Sequence, residues 1–142
     1  YEEFFRAAAA RHPEQVAARI GFDEPLAHQI EAGADLFLMP SLYEPCGLNQ
    51  MFSLKYGTIP IVRAVGGLKD TVQHYDARAE TGTGFVFEPS TAPALLDAVD
   101  QSLGVFHNKK AWTALRRRAM AMDFSWDRSA KGYVDLYRQL VN

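Results

Sequence analysis

The sequence predicts an α/β fold, a parallel sheet flanked by helices. Residues 35–40, 58–63 and 84–88 are short apolar, β-branched or aromatic runs, and they alternate with longer segments whose apolar residues recur at helical spacing. Strands that alternate with helices pair in parallel, because each crossover returns the chain to the same end of the sheet. In such sheets ligands sit at the carboxyl ends of the strands, which directs attention to the turns at 40–48 and 63–68. The 142 residues fit one domain with a real core. They read as a single unit, 1–142, whose C-terminal segment from 105 onward is helical.

Residues 1–11 carry Phe4, Phe5, Ala8 and Ala9 at helical spacing, and Pro13 punctuates the end. Residues 16–21 (VAARIG) read as a short strand. Asp23 then offers an N-cap, with Pro25 in the first turn and Leu26, Ile30 and Ala34 on one face. Residues 35–40 are continuously apolar between turn signals, the pattern of a strand buried on both faces. A loop over 41–47 enters a helix over 48–56 that Gly57 terminates. The strand at 58–63 leads through Gly66 and Gly67 into a short helix reaching Val72, and 73–84 is a loop. After the third strand, Ser90 or Thr91 caps a helix carrying Leu95, Leu96, Val99 and Leu103. Trp112, Leu115, Ala119 and Met122 form the stripe of the next helix. Ser125 caps the last one, with Trp126, Ala130, Tyr133, Tyr137 and Leu140 inward.

Composition narrows the function. Hydrophobic residues make up 48% and charged residues 23%, as in a globular protein, and the net charge of −2 offers no basic footprint for nucleic acid. Arg116, Arg117 and Arg118 read as a solvated helix face. A single cysteine, Cys46, excludes an internal disulfide and a cysteine zinc cluster, and suits a reducing compartment. The histidines are scattered without ligand spacing, so no metal is expected, and no apolar run is long enough to span a membrane. Residues 1–5 read as the middle of an amphipathic helix with no initiator methionine, which predicts a portion of a longer chain.

The segment Pro40-Ser41-Leu42-Tyr43-Glu44-Pro45-Cys46-Gly47-Leu48-Asn49-Gln50 follows a buried strand and opens a helix. Free N–H groups of Gly47, Leu48 and Asn49 at a helix N-terminus favour an anion. Glu44 cannot serve that anion. It either accepts hydrogen bonds from neutral hydroxyls, as on a sugar ring, or merely caps the helix. Phosphate on the helix and hydroxyls on the carboxylate together describe a sugar phosphate. Gly66 and Gly67 allow positive φ and close backbone approach, though a Gly-Gly turn alone is weak and lacks the dinucleotide fingerprint.

EPCGLNQ, then KYGTIPIVRAVGGLKDTV, GTGFVF and AMDFSWDRSAKGYVDLY, in this order, resemble the bacterial glycogen synthases and plant starch synthases over essentially the whole chain. The resemblance implies a GT-B architecture, two Rossmann-like domains facing across a cleft, with this chain part of the C-terminal domain. It implies glucose transfer from ADP-glucose, with retention, to the non-reducing end of an α-1,4-glucan, and no cofactor or metal. The implied partners are the donor (ADP-glucose, with UDP-glucose the open alternative), the glucan acceptor and the N-terminal domain of the same enzyme. On the resemblance, Glu44 binds donor glucose hydroxyls, helped by N–H groups of Cys46 and Gly47. Leu48 and Asn49 hold the diphosphate, Gly66 and Gly67 form the wall beside it, and Phe22 stacks on the nucleobase. An aromatic just after a strand also reads as core, so Phe22 has both readings. Cys46 takes its role through its backbone rather than its thiol.

Two departures stand out. Related transferases place a second glutamate for ribose where this chain has Phe52, which leaves ribose recognition unassigned. The family's phosphate-clamping arginine and lysine, and the acceptor-facing domain, fall outside these residues, so the chain alone is expected to be inactive. The resemblance places the protein in the bacterial cytoplasm, or in a plastid if the source is a plant. The competing readings are a non-catalytic nucleotide-binding module, which has no need of Glu44, and a sucrose- or trehalose-making transferase, which Phe52 disfavours.

Overall fold

The computed structural model describes residues 1–141. Helices α1 (Glu2–Arg11) and α2 (Glu24–Gly33) precede strand β1 (Leu36–Met39). Helix α3 (Asn49–Tyr56) links it to β2 (Ile59–Arg63), and α4 (Gly66–Thr71) with a long loop links β2 to β3 (Phe85–Phe87). Helices α5 (Ala92–Phe106), α6 (Lys109–Met120) and α7 (Trp126–Leu140) follow. The strands form one sheet in the order β1-β2-β3, parallel throughout, with Leu36 opposite Ile59 and Arg63 opposite Phe87. This register brings the turns after β1 and β2 to one end of the sheet, as the α/β reading requires.

Local chemistry fixes the helix ends. The side chains of Asp23, Thr91, Asn108 and Ser125 accept N–H bonds from Leu26, Ala94, Ala111 and Arg128. A cap of this kind is worth about 1 kcal/mol. Gly57 closes α3 at φ 79°, a left-handed conformation that suits glycine.

Packing centres on β2, buried from Ile59 through Val62. Ile59 and Ile61 face a cluster with Leu54, Phe85, Ala98, Trp112, Leu115 and Ala119, while Val62 faces Leu68 and Val72 on the other side. Full burial of such a side chain contributes about 1.5–3 kcal/mol, so the strand is the core of the unit. Pro60 is tolerated here despite lacking an N–H. Ile59 donates toward β1, to Asp35, so Pro60 faces the β3 side at a level where that strand has not yet begun.

The fold corrects several expectations. Residues 16–21 are not a strand: they join no ladder among the described residues, and a strand without a paired neighbour leaves its backbone unsatisfied. β1 is not buried on both faces. It lies at the sheet edge, and Leu38 is half exposed. On α5, Leu95, Ala98, Val99 and Ser102 face the core, and Leu96 and Leu103 point outward because they lie roughly a quarter turn away around the helix. The apolar stripe of α7 is exposed rather than inward, with Trp126 at 84% against 7% for Trp112. Helical periodicity identifies an apolar face but not what covers it.

The arginine run is likewise more than a solvated face. Arg116 Nε donates to the Gly57 carbonyl at 2.8 Å, holding the end of α3, and Arg118 Nε donates to Gly82 at 3.1 Å. The Arg118 guanidinium also lies over the Tyr75 ring. No helix among the described residues is long and apolar enough to cross a membrane.

Candidate functional site

The turn after β1 and the turn after β2 meet at the carboxyl end of the sheet. Arg63, the last residue of β2, joins them. Its Nη1 donates to the carbonyls of Ser41 (3.2 Å) and Leu42 (2.9 Å), and its Nε to that of Glu88 (3.2 Å) after β3. One guanidinium thus ties the exits of all three strands and fixes the loop that carries Glu44. The Gly67 N–H donates to the Pro45 carbonyl, and a Cβ on Gly66 would collide with the Glu44 carbonyl oxygen. The close approach these two glycines allow is therefore to the neighbouring turn, whose backbone rests directly on theirs.

Helix α3 begins differently from the capped helices. Its N-cap position is Leu48, and no side chain caps it. Among the described residues the N–H groups of Cys46, Gly47, Leu48 and Asn49 find no acceptor, which leaves a cluster of donors at the positive end of the helix dipole. Gly47 (φ 74°) takes the left-handed conformation that turns the chain into this arrangement. Glu44 does not cap the helix, which removes that alternative. It is half-buried, and its carboxylate has no hydrogen-bond partner among the described residues. Cys46 is an exposed free thiol.

Phe22 is 96% exposed, so the core reading fails for it. It lines an open cleft of about 380 Å³ together with His28, Glu31, Asn49 and Phe52. Asn49 is thus shared between this cleft and the helix N-terminus, and the two halves of the expected site are contiguous. Burial pushes the Glu31 carboxyl above its ordinary range, opposed by His28 at 4.0 Å. Among the described residues no group of three or more His, Cys, Asp or Glu side chains is placed to hold a metal ion.

The family model for glycosyl transferases group 1 matches residues 4–116. The chain belongs to this family. It is similar to several proteins named glycogen synthase and to a solved starch synthase. It is 62% identical over 141 residues to a glycogen synthase of Anaeromyxobacter sp. (strain K), covering 99% of this chain and 30% of that protein. Among solved structures it is similar to the catalytic domain of Starch Synthase IV from Arabidopsis thaliana bound to ADP and acarbose, at 33% identity and TM-score 0.80. That match covers 96% of this chain and 29% of the other. It also resembles a sucrose-phosphate synthase from Thermosynechococcus elongatus, at 27% identity and TM-score 0.65, over 98% of this chain and 34% of the other. The chain therefore spans under a third of the length of the glycogen synthase it matches.

The expected site residues Glu44, Cys46, Gly47, Leu48 and Asn49 lie on one loop and helix start, with Gly66 and Gly67 against them and Phe22 across the adjoining cleft. Sequence reasoning missed Arg63 and Gln50. Gln50 is fully buried in the first turn of α3, although a polar residue there reads as solvent-facing. The only signal was its place inside the EPCGLNQ motif.

Proposed function

We propose that this chain is the donor-binding part of a retaining glucan synthase of the glycogen and starch synthase type. The enzyme moves glucose from ADP-glucose to the non-reducing end of an α-1,4-glucan. The observation that carries the reading is the uncapped α3 N-terminus with its unpaired N–H groups beside an unpartnered Glu44 carboxylate. Donors for an anion and an acceptor for hydroxyls stand side by side, which is what a sugar diphosphate needs. The 62% identity to a glycogen synthase supports the same substrate class.

In this reading Glu44 accepts from the glucose hydroxyls, and the N–H groups of Cys46 and Gly47 assist it. The N–H groups of Leu48 and Asn49 hold the diphosphate, with Gly66 and Gly67 as the wall behind it. Transfer breaks the bond between the anomeric carbon and the diphosphate oxygen, so positive charge develops on the sugar and negative charge on the leaving group. Donors already aimed at that group stabilise it without reorganising. A facing N-terminal domain holds the acceptor, and an arginine and a lysine outside these residues clamp the phosphates, completing a GT-B enzyme of the bacterial cytoplasm. A sucrose-forming transferase is the second reading, supported by the structural likeness to a sucrose-phosphate synthase. Phe52, in the position of the second glutamate, speaks against it.

Nucleotide binding to the full-length protein, followed by calorimetry with ADP and with UDP, tests the assignment. ADP is expected to bind more tightly. Phe22→Ala is expected to weaken ADP by ~1–3 kcal/mol, the scale of base–aromatic stacking. Its melting temperature should not move, because the side chain is almost wholly exposed. Equal ADP dissociation constants for wild type and variant would remove Phe22 from the site.

A further inference from the structure

We infer that Gln50 is the positioning residue of this site: it aims the Gly47 and Leu48 N–H groups at the ligand by holding their peptide carbonyls from beneath. Gln50 is fully buried. Its Nε2 lies 3.1 Å from each of the Cys46 and Gly47 carbonyl oxygens and the Thr71 hydroxyl oxygen, so its two N–H groups are shared among three acceptors. The Thr71 hydroxyl donates in turn to the Gly67 carbonyl at 2.6 Å.

The geometry follows from peptide planarity. In a trans peptide the C=O and N–H of one unit point in opposite directions. The Cys46 carbonyl shares its unit with the Gly47 N–H, and the Gly47 carbonyl shares its unit with the Leu48 N–H. Drawing both carbonyls inward onto one amide therefore turns both N–H groups outward, away from the protein. Consecutive carbonyls converge on a single donor because Gly47 is left-handed (φ 74°) while Leu48 is already helical (φ −116°, ψ −35°). Successive N–H groups in such a left-handed to right-handed step form an anion-binding concavity. Through Thr71 the same amide also keeps this loop in register with the Gly66–Gly67 turn. Gln50 Oε1 is buried with no partner, so an apolar side chain would fill the space with less polar burden. What the amide provides is the Nε2 contacts.

The inference rests on the reading that these N–H groups hold the nucleotide sugar. The test uses the full-length protein, ADP as calorimetric probe, and the Michaelis constants for ADP-glucose and for glucan. Gln50→Leu should raise the ADP dissociation constant and the donor KM at least about tenfold, with glucan KM and melting temperature close to wild type. Thr71→Val, which removes the hydroxyl but keeps the shape, should raise the ADP dissociation constant about threefold or more. Thr71→Ser, which keeps the hydroxyl, should restore ADP binding. Unchanged ADP affinity in Gln50→Leu overturns the inference. So does a parallel rise in both Michaelis constants with a lowered melting temperature, which marks a merely structural role. If Gln50→Leu does not fold, the Thr71 pair decides, and equal ADP affinity for its Val and Ser variants overturns the inference. A wild-type protein that binds no ADP fails at the earlier step, sinking the functional reading and this inference with it.

Discussion

Glu44→Gln in the full-length protein is expected to lower turnover roughly 10²-fold or more while leaving ADP affinity almost unchanged. The carboxylate is half-buried, does not cap α3, and has no hydrogen-bond partner among the described residues. Its acceptor capacity is therefore free for a ligand. A charge-assisted hydrogen bond to a sugar hydroxyl is worth about 1.5–3 kcal/mol, and a displaced sugar ring loses more, because small misplacements at a reacting centre are amplified. Glutamine keeps the shape and one acceptor oxygen, so the backbone that binds the diphosphate is undisturbed. Steady-state kinetics with ADP calorimetry separates the two effects. Near-normal turnover, or a loss of ADP binding equal to the loss of turnover, would place Glu44 outside the sugar site.

Gly66→Ala is expected to act through the backbone. Gly66 sits at φ 46°, and a Cβ there would meet the Glu44 carbonyl oxygen. The left-handed conformation costs an alanine about 1–2 kcal/mol and the collision about 1–3 kcal/mol more. Relief can come only by moving backbone, and the backbone that must move carries Glu44. Activity should therefore fall by on the order of 10²-fold, together with a lowered melting temperature. Gly104→Ala in α5 is the control, since nothing lies within 4 Å of its added Cβ. There the change should raise stability by about 0.5–1 kcal/mol, because alanine loses less entropy in a helix. A Gly66→Ala protein with wild-type melting and turnover would show that the two turns are not in backbone contact.

These residues also show which features a sequence discloses. Asp23, Thr91, Asn108 and Ser125 act within three residues of themselves. Asp23, Thr91 and Ser125 could be read from the chain, as could the strand at β2 and the Gly57 stop. The loop from Glu44 to Asn49 was legible as a strand-to-helix turn because its residues are contiguous. Residues 16–21, the open edge of β1 and the exposed stripe of α7 were misread, because local pattern identifies an apolar face without naming its neighbour. Arg63 was missed because its partners are far away in sequence, and Gln50 because its inward orientation depends on packing against a distant turn, although Cys46 and Gly47 lie only four and three residues from it. Thr71 is 21 residues from Gln50, and Leu42 is 21 residues from Arg63. Nothing local in a glutamine or an arginine signals that it will be spent on backbone carbonyls.

The most direct measurement is glucosyl transfer by the full-length protein, supplied with radiolabelled ADP-glucose and a glycogen primer. The donor-site reading predicts label incorporated only when primer is present, in links cleaved by an α-1,4-specific glucosidase, and less incorporation from UDP-glucose. No incorporation from either donor, or label passed instead to a free sugar or sugar phosphate, would contradict it.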